Sequence, residues 1–274
     1  PTLLLGVPAM FIRLLGLPAV QSKTIGARLR LAVSGSASLP AETHARFRSL
    51  YGSVILERYG MTEALGIAAN PYLAERRVGT VGPALTGVAV KICDEAGGTV
   101  PDETIGELWI KGPNVCAGYW RRPEATAAAW RDGWFRTGDL GMRARDGYIT
   151  LRGRRSDLIV SGGFKIDPRE VEEALLEHRG ISDAAVVGMP DAVRGEVPVA
   201  YVVVDPTSFD ESAVTARLRS QIASFKQPRV FVRVDAIPRT TLGKVQKHLL
   251  PPVATAVRMC GANVKKRGAG SDNS

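Results

Sequence analysis

Cysteine and long apolar runs are the first things missing from this sequence. Only three cysteines, Cys93, Cys116 and Cys260, occur among 274 residues. Their wide spacing gives no metal-ligand pattern and no disulfide framework, which points to a reducing compartment, the cytoplasm. No stretch approaches the roughly 18 uninterrupted apolar residues of a membrane helix, so no span is expected. The N-terminus lacks the basic, apolar, small-residue order of a signal peptide. It opens on Pro1, and Thr2-Leu3-Leu4-Leu5 reads as a buried strand, so the chain is expected to begin inside a domain. No internal repeat is evident.

What is present suits a globular protein with a substantial core: 45% hydrophobic and 23% charged residues. The net charge of +9 favours anionic partners. The basic residues are dispersed and none of the usual nucleic-acid motifs occurs, so nucleic acid is not expected as a partner. Nucleotides and coenzyme A are anionic too, and remain.

Residues 1–63 read as strand, apolar helix, strand (29–33), small-residue loop (34–38), helix (41–50) and strand (54–56), the last running into Glu57-Arg58-Tyr59-Gly60-Met61-Thr62-Glu63. That order predicts an α/β layer with ligand-binding loops at the strand ends. From 78 to 149 short strands alternate with turns, predicting a β-rich section. The stretch 151–172 reads as a joint: a basic loop with Arg152, Arg154 and Arg155, a short strand at 158–160, then Gly162-Gly163. A helix start follows, with Asp167 as N-cap, Pro168 in the first turn and Glu170 completing a capping box. Beyond it, helix, two strands, helix and strand form a compact α+β unit. Pro238 to Lys244 is a loop presenting a lysine, and the tail after Arg258 has a disordered composition.

Four loops carry candidate chemistry, each with a structural alternative. Gly35-Ser36-Ala37 offers backbone groups to a flat or anionic ligand, or is a plain strand-to-helix turn. Tyr59 to Glu63 combines an aromatic plate, a hydroxyl and a carboxylate that could hold Mg²⁺, or is a satisfied strand end. Thr137-Gly138-Asp139 presents a carboxylate suited to ribose hydroxyls, or is a capped turn. Gly243-Lys244 offers a cation to charge developing at a phosphate, or is a solvated surface lysine.

In this order and spacing the loops are far more specific. Ser34-Gly35-Ser36-Ala37, Tyr59-Gly60-Met61-Thr62-Glu63, Arg136-Thr137-Gly138-Asp139, Gly153-Arg154, Ser161-Gly162-Gly163-Phe164, and Pro238-Arg239-Thr240 with Gly243-Lys244 resemble the motifs of the adenylate-forming superfamily. That superfamily comprises acyl-CoA synthetases, peptide-synthetase adenylation domains and luciferases. Gly6-Val7-Pro8, Asn70-Pro71-Tyr72, 111–115 and 243–247 are most similar to malonyl-CoA synthetases. The resemblance implies the α/β and β-rich end of a large AMP-binding domain over 1–155 and a small mobile α+β C-terminal domain over 156–252; the tail over 253–274 matches nothing in it and is expected to be disordered from its composition.

It also implies an ATP-dependent ligase. A carboxylate attacks the α-phosphate of ATP to give an acyl-adenylate and pyrophosphate, and the thiol of coenzyme A then displaces AMP. By the family pattern Gly35, Ser36 and Ala37 border the adenine and Tyr59 stacks on it, within a nucleotide site that includes Gly60, Met61 and Thr62. Thr62 meets phosphate, Glu63 binds Mg²⁺, and Asp139 takes the ribose hydroxyls with Arg154 beside it. Lys244 bridges carboxylate and α-phosphate. Gly162, Gly163 and Phe164 border the CoA channel, and Ser156 occupies the hinge. Arg58 is either the cation for the non-reacting carboxylate of malonate or a structural ion pair with Glu57 or a neighbour.

The sequence departs from the family in lacking the Ser/Thr/Gly-rich phosphate loop ending in Pro-Lys. A C-terminal portion of a synthetase is therefore expected, of doubtful activity alone. Ser156 stands where relatives carry Asp or Lys, and Ala64 where a hydroxyl residue is common. The rival readings are a non-catalytic nucleotide- or CoA-binding remnant and a medium- or long-chain fatty acyl-CoA synthetase.

Overall fold

The computed structural model describes residues 2–205, 209–240 and 245–253. Lys244, the lysine of the expected loop, and the tail from 254 onward lie outside the described residues. The chain divides into two compact units, 1–158 with 238–247, and 159–237 with 248–274.

The first unit holds two sheets. In one, β1 (Leu3–Gly6), β2 (Leu31–Ser34) and β3 (Leu56–Met61) run parallel, and β4 (Leu65–Ala69) turns back antiparallel on β3. The connections are α1 (Pro8–Leu14) and α2 (Ala19–Gly26), then α3 (Ala41–Tyr51). The segment of α2 was not expected as a helix; its apolar residues show little helical periodicity. Parallel neighbours require such crossovers. Their apolar faces close a core of Phe11, Ala32, Leu39, Phe47, Tyr51 and Ile55. Phe47 and Tyr51, one turn apart on α3, stack at 4.3 Å. The helix ends at Gly52, whose φ of 69° is left-handed and whose N–H reaches the Arg48 carbonyl at 2.9 Å.

The second sheet is antiparallel: β5 (Ala89–Cys93), β6 (Gly106–Lys111), β8 (Trp134–Arg143) and β7 (Trp130–Arg131) in that order, with β9 (Ile149–Arg154) also on β8. A short α4 (Pro123–Ala129) precedes β7. Ile92, Leu108, Ile110, Phe135 and Ile149 share one core with Tyr59, Ile67 and Ala68, so the two sheets are welded around β3 and β4.

The second unit places β11 (Phe164–Ile166), β10 (Ile159–Ser161), β13 (Gly195–Val204) and β12 (Ile181–Asp191) in one sheet, with β14 (Val230–Arg233) parallel to β13. Against it lie α5 (Pro168–Leu176) and α6 (Glu211–Gln221), closing a core that includes Val171, Leu175, Val186, Val202, Val214, Leu218 and Phe231.

Several local expectations are corrected. The third strand does not stop at Leu56 but starts there and carries Tyr59-Gly60-Met61 inside it, because β4 pairs with those residues. Thr137-Gly138-Asp139 is not a turn. It lies within β8, where Phe135, Thr137, Asp139 and Gly141 alternate inward. The basic residues 152–154 are the paired end of β9, not a loop. Asp167 caps α5 by accepting from the Arg169 N–H at 3.0 Å, but the Glu170 carboxylate, expected to complete the cap, is held instead by Lys226 Nζ at 2.6 and 2.7 Å.

Candidate nucleotide site

Strand β3 organises the candidate site. Its neighbour β2 delivers Gly35, where a Cβ would sit 3.3 Å from Arg58 Cγ and 3.4 Å from Arg58 Nε, so the arginine side chain runs directly along that glycine. Ser36 follows at a φ of 72°, rare for a residue with a side chain, and with Ala37 is exposed. The preceding Ser34 hydroxyl is buried without a hydrogen-bond partner among the described residues. Arg58 is exposed and pairs with no carboxylate among the described residues, so the alternative of an ion pair with Glu57 or a neighbour is not seen there. Glu57 points the other way, buried, accepting from the Gly79 N–H at 3.3 Å.

Tyr59 is buried, and its hydroxyl donates to Asp139 Oδ2. On the other carboxylate oxygen, Arg154 Nε donates at 3.0 Å, Arg154 being the register partner of Asp139 across β8 and β9. The Asp139 N–H donates to Thr137 Oγ1 at 3.0 Å, and that hydroxyl donates to the Leu108 carbonyl at 2.8 Å. Burial, and then the Asp139 charge, push the Tyr59 phenol far up, so it stays a protonated donor. An ionised carboxylate offers about four acceptor sites, so two partners leave Asp139 room for further hydroxyl donors.

At the far end of β3 the chain reverses through Thr62, which is exposed, and Glu63, which is half-buried. The turn is tight: a Cβ at Gly60 would sit 1.9 Å from the Leu65 carbonyl oxygen, and Leu65 itself has a φ of 51°. Three groups from the loop after β6 hold it. Asn114 Nδ2 donates to the Ala64 and Gly66 carbonyls at 2.7 and 2.8 Å, the Cys116 N–H to the Glu63 carbonyl at 2.7 Å, and the Tyr119 hydroxyl to Glu63 Oε1 at 2.9 Å. None of these three was anticipated. They lie some fifty residues along the chain from their partners, and nothing in Asn114 or Gly118-Tyr119-Trp120 announces one.

Among the described residues no group of three or more His, Cys, Asp and Glu side chains is placed to hold a metal. The Glu63 carboxylate, whose Oε2 has no hydrogen-bond partner among the described residues, does fit Mg²⁺ held through a nucleotide, because that ion commonly takes one or two carboxylates plus substrate phosphates.

The remaining candidates lie elsewhere. Gly162 and Gly163, at φ of 57° and 84°, make the β10–β11 turn, and Phe164 stacks on Phe225 at 4.6 Å, all within the second unit. Ser156 is exposed in a 3₁₀ turn, Arg155–Asp157. Beside it Arg155 Nη1 meets Glu107 Oε2 at 3.2 Å, and that buried carboxylate also takes Arg136 at 3.1 Å.

The model for AMP-binding enzymes matches residues 1–120, and that for the AMP-binding enzyme C-terminal domain matches 170–244. A long-chain-fatty-acid–CoA ligase of Bacillus subtilis is 37% identical over 253 residues, covering 91% of this chain and 45% of that protein. A sulfoacetate–CoA ligase of Cupriavidus necator is 39% identical over 245 residues, covering 88% and 47%. Among solved structures, ATP-bound MatB from Rhodopseudomonas palustris superposes with a TM-score of 0.86 at 44% identity, covering 90% of this chain and 50% of that one. The chain thus spans about half the length of the curated relatives it matches. With both family models matched in order along it, and this fold, the chain belongs to the AMP-binding enzyme family.

Proposed function

We propose that the chain forms part of an ATP-dependent acyl-CoA ligase acting on a short acid that carries a second anionic group, malonate foremost, in the cytoplasm. The observation that carries the nucleotide half is the Tyr59–Asp139–Arg154 network beside β3, which holds one carboxylate in a fixed place with acceptor capacity to spare. Asp139 would take the ribose hydroxyls, with the 35–37 loop and the Tyr59–Met61 strand bordering the base. Glu63 would hold Mg²⁺ on the phosphates and Thr62 would touch them; when bound, the ion supplies positive charge against the phosphate oxygens.

The acid half rests on Arg58. A guanidinium along Gly35 with no carboxylate partner among the described residues suits the non-reacting end of a dianionic acid. The similarity to a sulfoacetate–CoA ligase fits, sulfoacetate also being a dianion. The long-chain relative supports the broader activity and not this choice of acid. Lys244 is proposed to bridge the acid and the α-phosphate, Gly162, Gly163 and Phe164 to border the path of coenzyme A, and Ser156 to serve as pivot.

The test is malonyl-CoA formation from malonate, ATP, Mg²⁺ and coenzyme A, read by mass, beside the Lys244→Ala chain. Product that falls by about 10²–10³ in the variant supports the ligase. ATP binding without product from folded protein favours the second reading, a chain that binds nucleotide and does not itself turn over.

A further inference from the structure

Tyr119 is not part of the reading above, yet it is the side chain that touches Glu63. Its hydroxyl donates to Glu63 Oε1 at 2.9 Å. Its ring is itself fixed, edge-on to Trp130 at 5.9 Å, and Trp130 lies 4.5 Å from Phe135 in the core between the sheets. The backbone is fixed as well, since the Tyr119 N–H donates to Thr126 Oγ1 at 2.9 Å on α4. A fixed donor therefore meets the half-buried Glu63 on a tight turn whose Thr62 and Leu65 are exposed.

We infer that Tyr119 is a positioning residue for a divalent cation: by occupying Glu63 Oε1 it fixes the carboxylate and presents Oε2 to the ion. A glutamate has three side-chain torsions, and an untethered one samples many orientations. Holding one oxygen removes that freedom before the ion arrives. Partners that orient a metal-binding carboxylate typically change metal affinity by about 10–100-fold when removed. The clamp formed by Asn114 and the Cys116 N–H fixes the backbone of the same turn, which leaves the side-chain orientation to Tyr119. This inference rests on the reading of Glu63 as the cation carboxylate.

The experiment measures Mn²⁺ binding to the full chain in the presence of ATP, from the free-ion electron paramagnetic resonance signal. It compares the unsubstituted chain, Tyr119→Phe, Glu63→Gln and the double variant, with thermal midpoints alongside. Tyr119→Phe keeps the ring against Trp130, so its midpoint should be unchanged while Mn²⁺ affinity falls about tenfold. In the Glu63→Gln background the same substitution should have no further effect. Should Glu63→Gln weaken Mn²⁺ and Tyr119→Phe leave it unaltered, the positioning role falls and the cation site stands. A lowered midpoint with unaltered affinity would likewise make Tyr119 purely structural. Should Glu63→Gln change nothing, or the unsubstituted chain retain no Mn²⁺–ATP, the reading of the site itself falls and takes the inference with it.

Discussion

On the proposed reading, Arg58 is the residue on which the choice of acid turns. Its exposure on β3 leaves the side chain open to a ligand, and its position along Gly35 restricts where the guanidinium can go. A hydrogen bond to a charged group contributes about 1.5–3 kcal/mol, or roughly 10–100-fold in an equilibrium or rate constant. Arg58→Met keeps the length and loses the charge. In a ligase assay kcat/KM for malonate should fall by about that factor while kcat/KM for propionate stays within about twofold. Equal losses on both acids would return Arg58 to a structural role. Asp139 could not serve in such a contrast, because its two oxygens already hold Tyr59 and Arg154 and its loss would unsettle the joint between the sheets.

At the scale of elements, helix α3 carries a pH dependence. His44 is 3% exposed and its Nε2 lies 3.0 Å from the Ile55 carbonyl, tying the helix to the start of β3. Burial, outweighing that hydrogen bond, lowers its pKa below the ordinary 6.5. The folded state thus holds a neutral imidazole where the unfolded chain would take up a proton. Stability is full above pH 6.5 and is lost as pH falls through 6.5 toward the lower folded value. Urea unfolding between pH 7.5 and 5 should show that decline, and His44→Gln should flatten it. An equal slope in the variant would assign the effect to other groups. The same elements show what the sequence could and could not say. The strands and helices flanking the site were legible, because β2, α3 and α5 follow apolar periodicity between clear stops. Gly60 and Gly138 misled, since glycine marks turns in general but both lie within paired strands; at Gly60 the Leu65 carbonyl leaves no room for a Cβ, and at Gly138 the backbone takes a φ of 72°. The pairing of Tyr59 with Asp139, of Lys226 with Glu170 and of Tyr119 with Glu63 was not legible, because each joins residues more than fifty positions apart that no local pattern relates.

At the scale of the molecule, each unit closes its own core, and the proposed nucleotide residues Gly35, Tyr59, Glu63 and Asp139 all belong to the first. The second unit packs Leu175 of α5, fully buried, against its own sheet and α6. Truncating it removes buried methyl groups and leaves a cavity, which costs about 2–5 kcal/mol in well-filled cores. That is a large share of what a unit of this size can hold in reserve. Leu175→Ala should therefore lower the temperature at which the 159–237 unit melts, read by hydrogen exchange on β12 and β13. ATP affinity measured by calorimetry below that temperature should stay unchanged, because the nucleotide residues are held by the two cores of the first unit. If ATP binding were lost in step with the melting of the second unit, the site would require both units in place, and the network around Asp139 would be insufficient to hold nucleotide by itself. Retained binding would assign nucleotide capture to the first unit and leave to the second the later, thiol-dependent step of the proposed reaction.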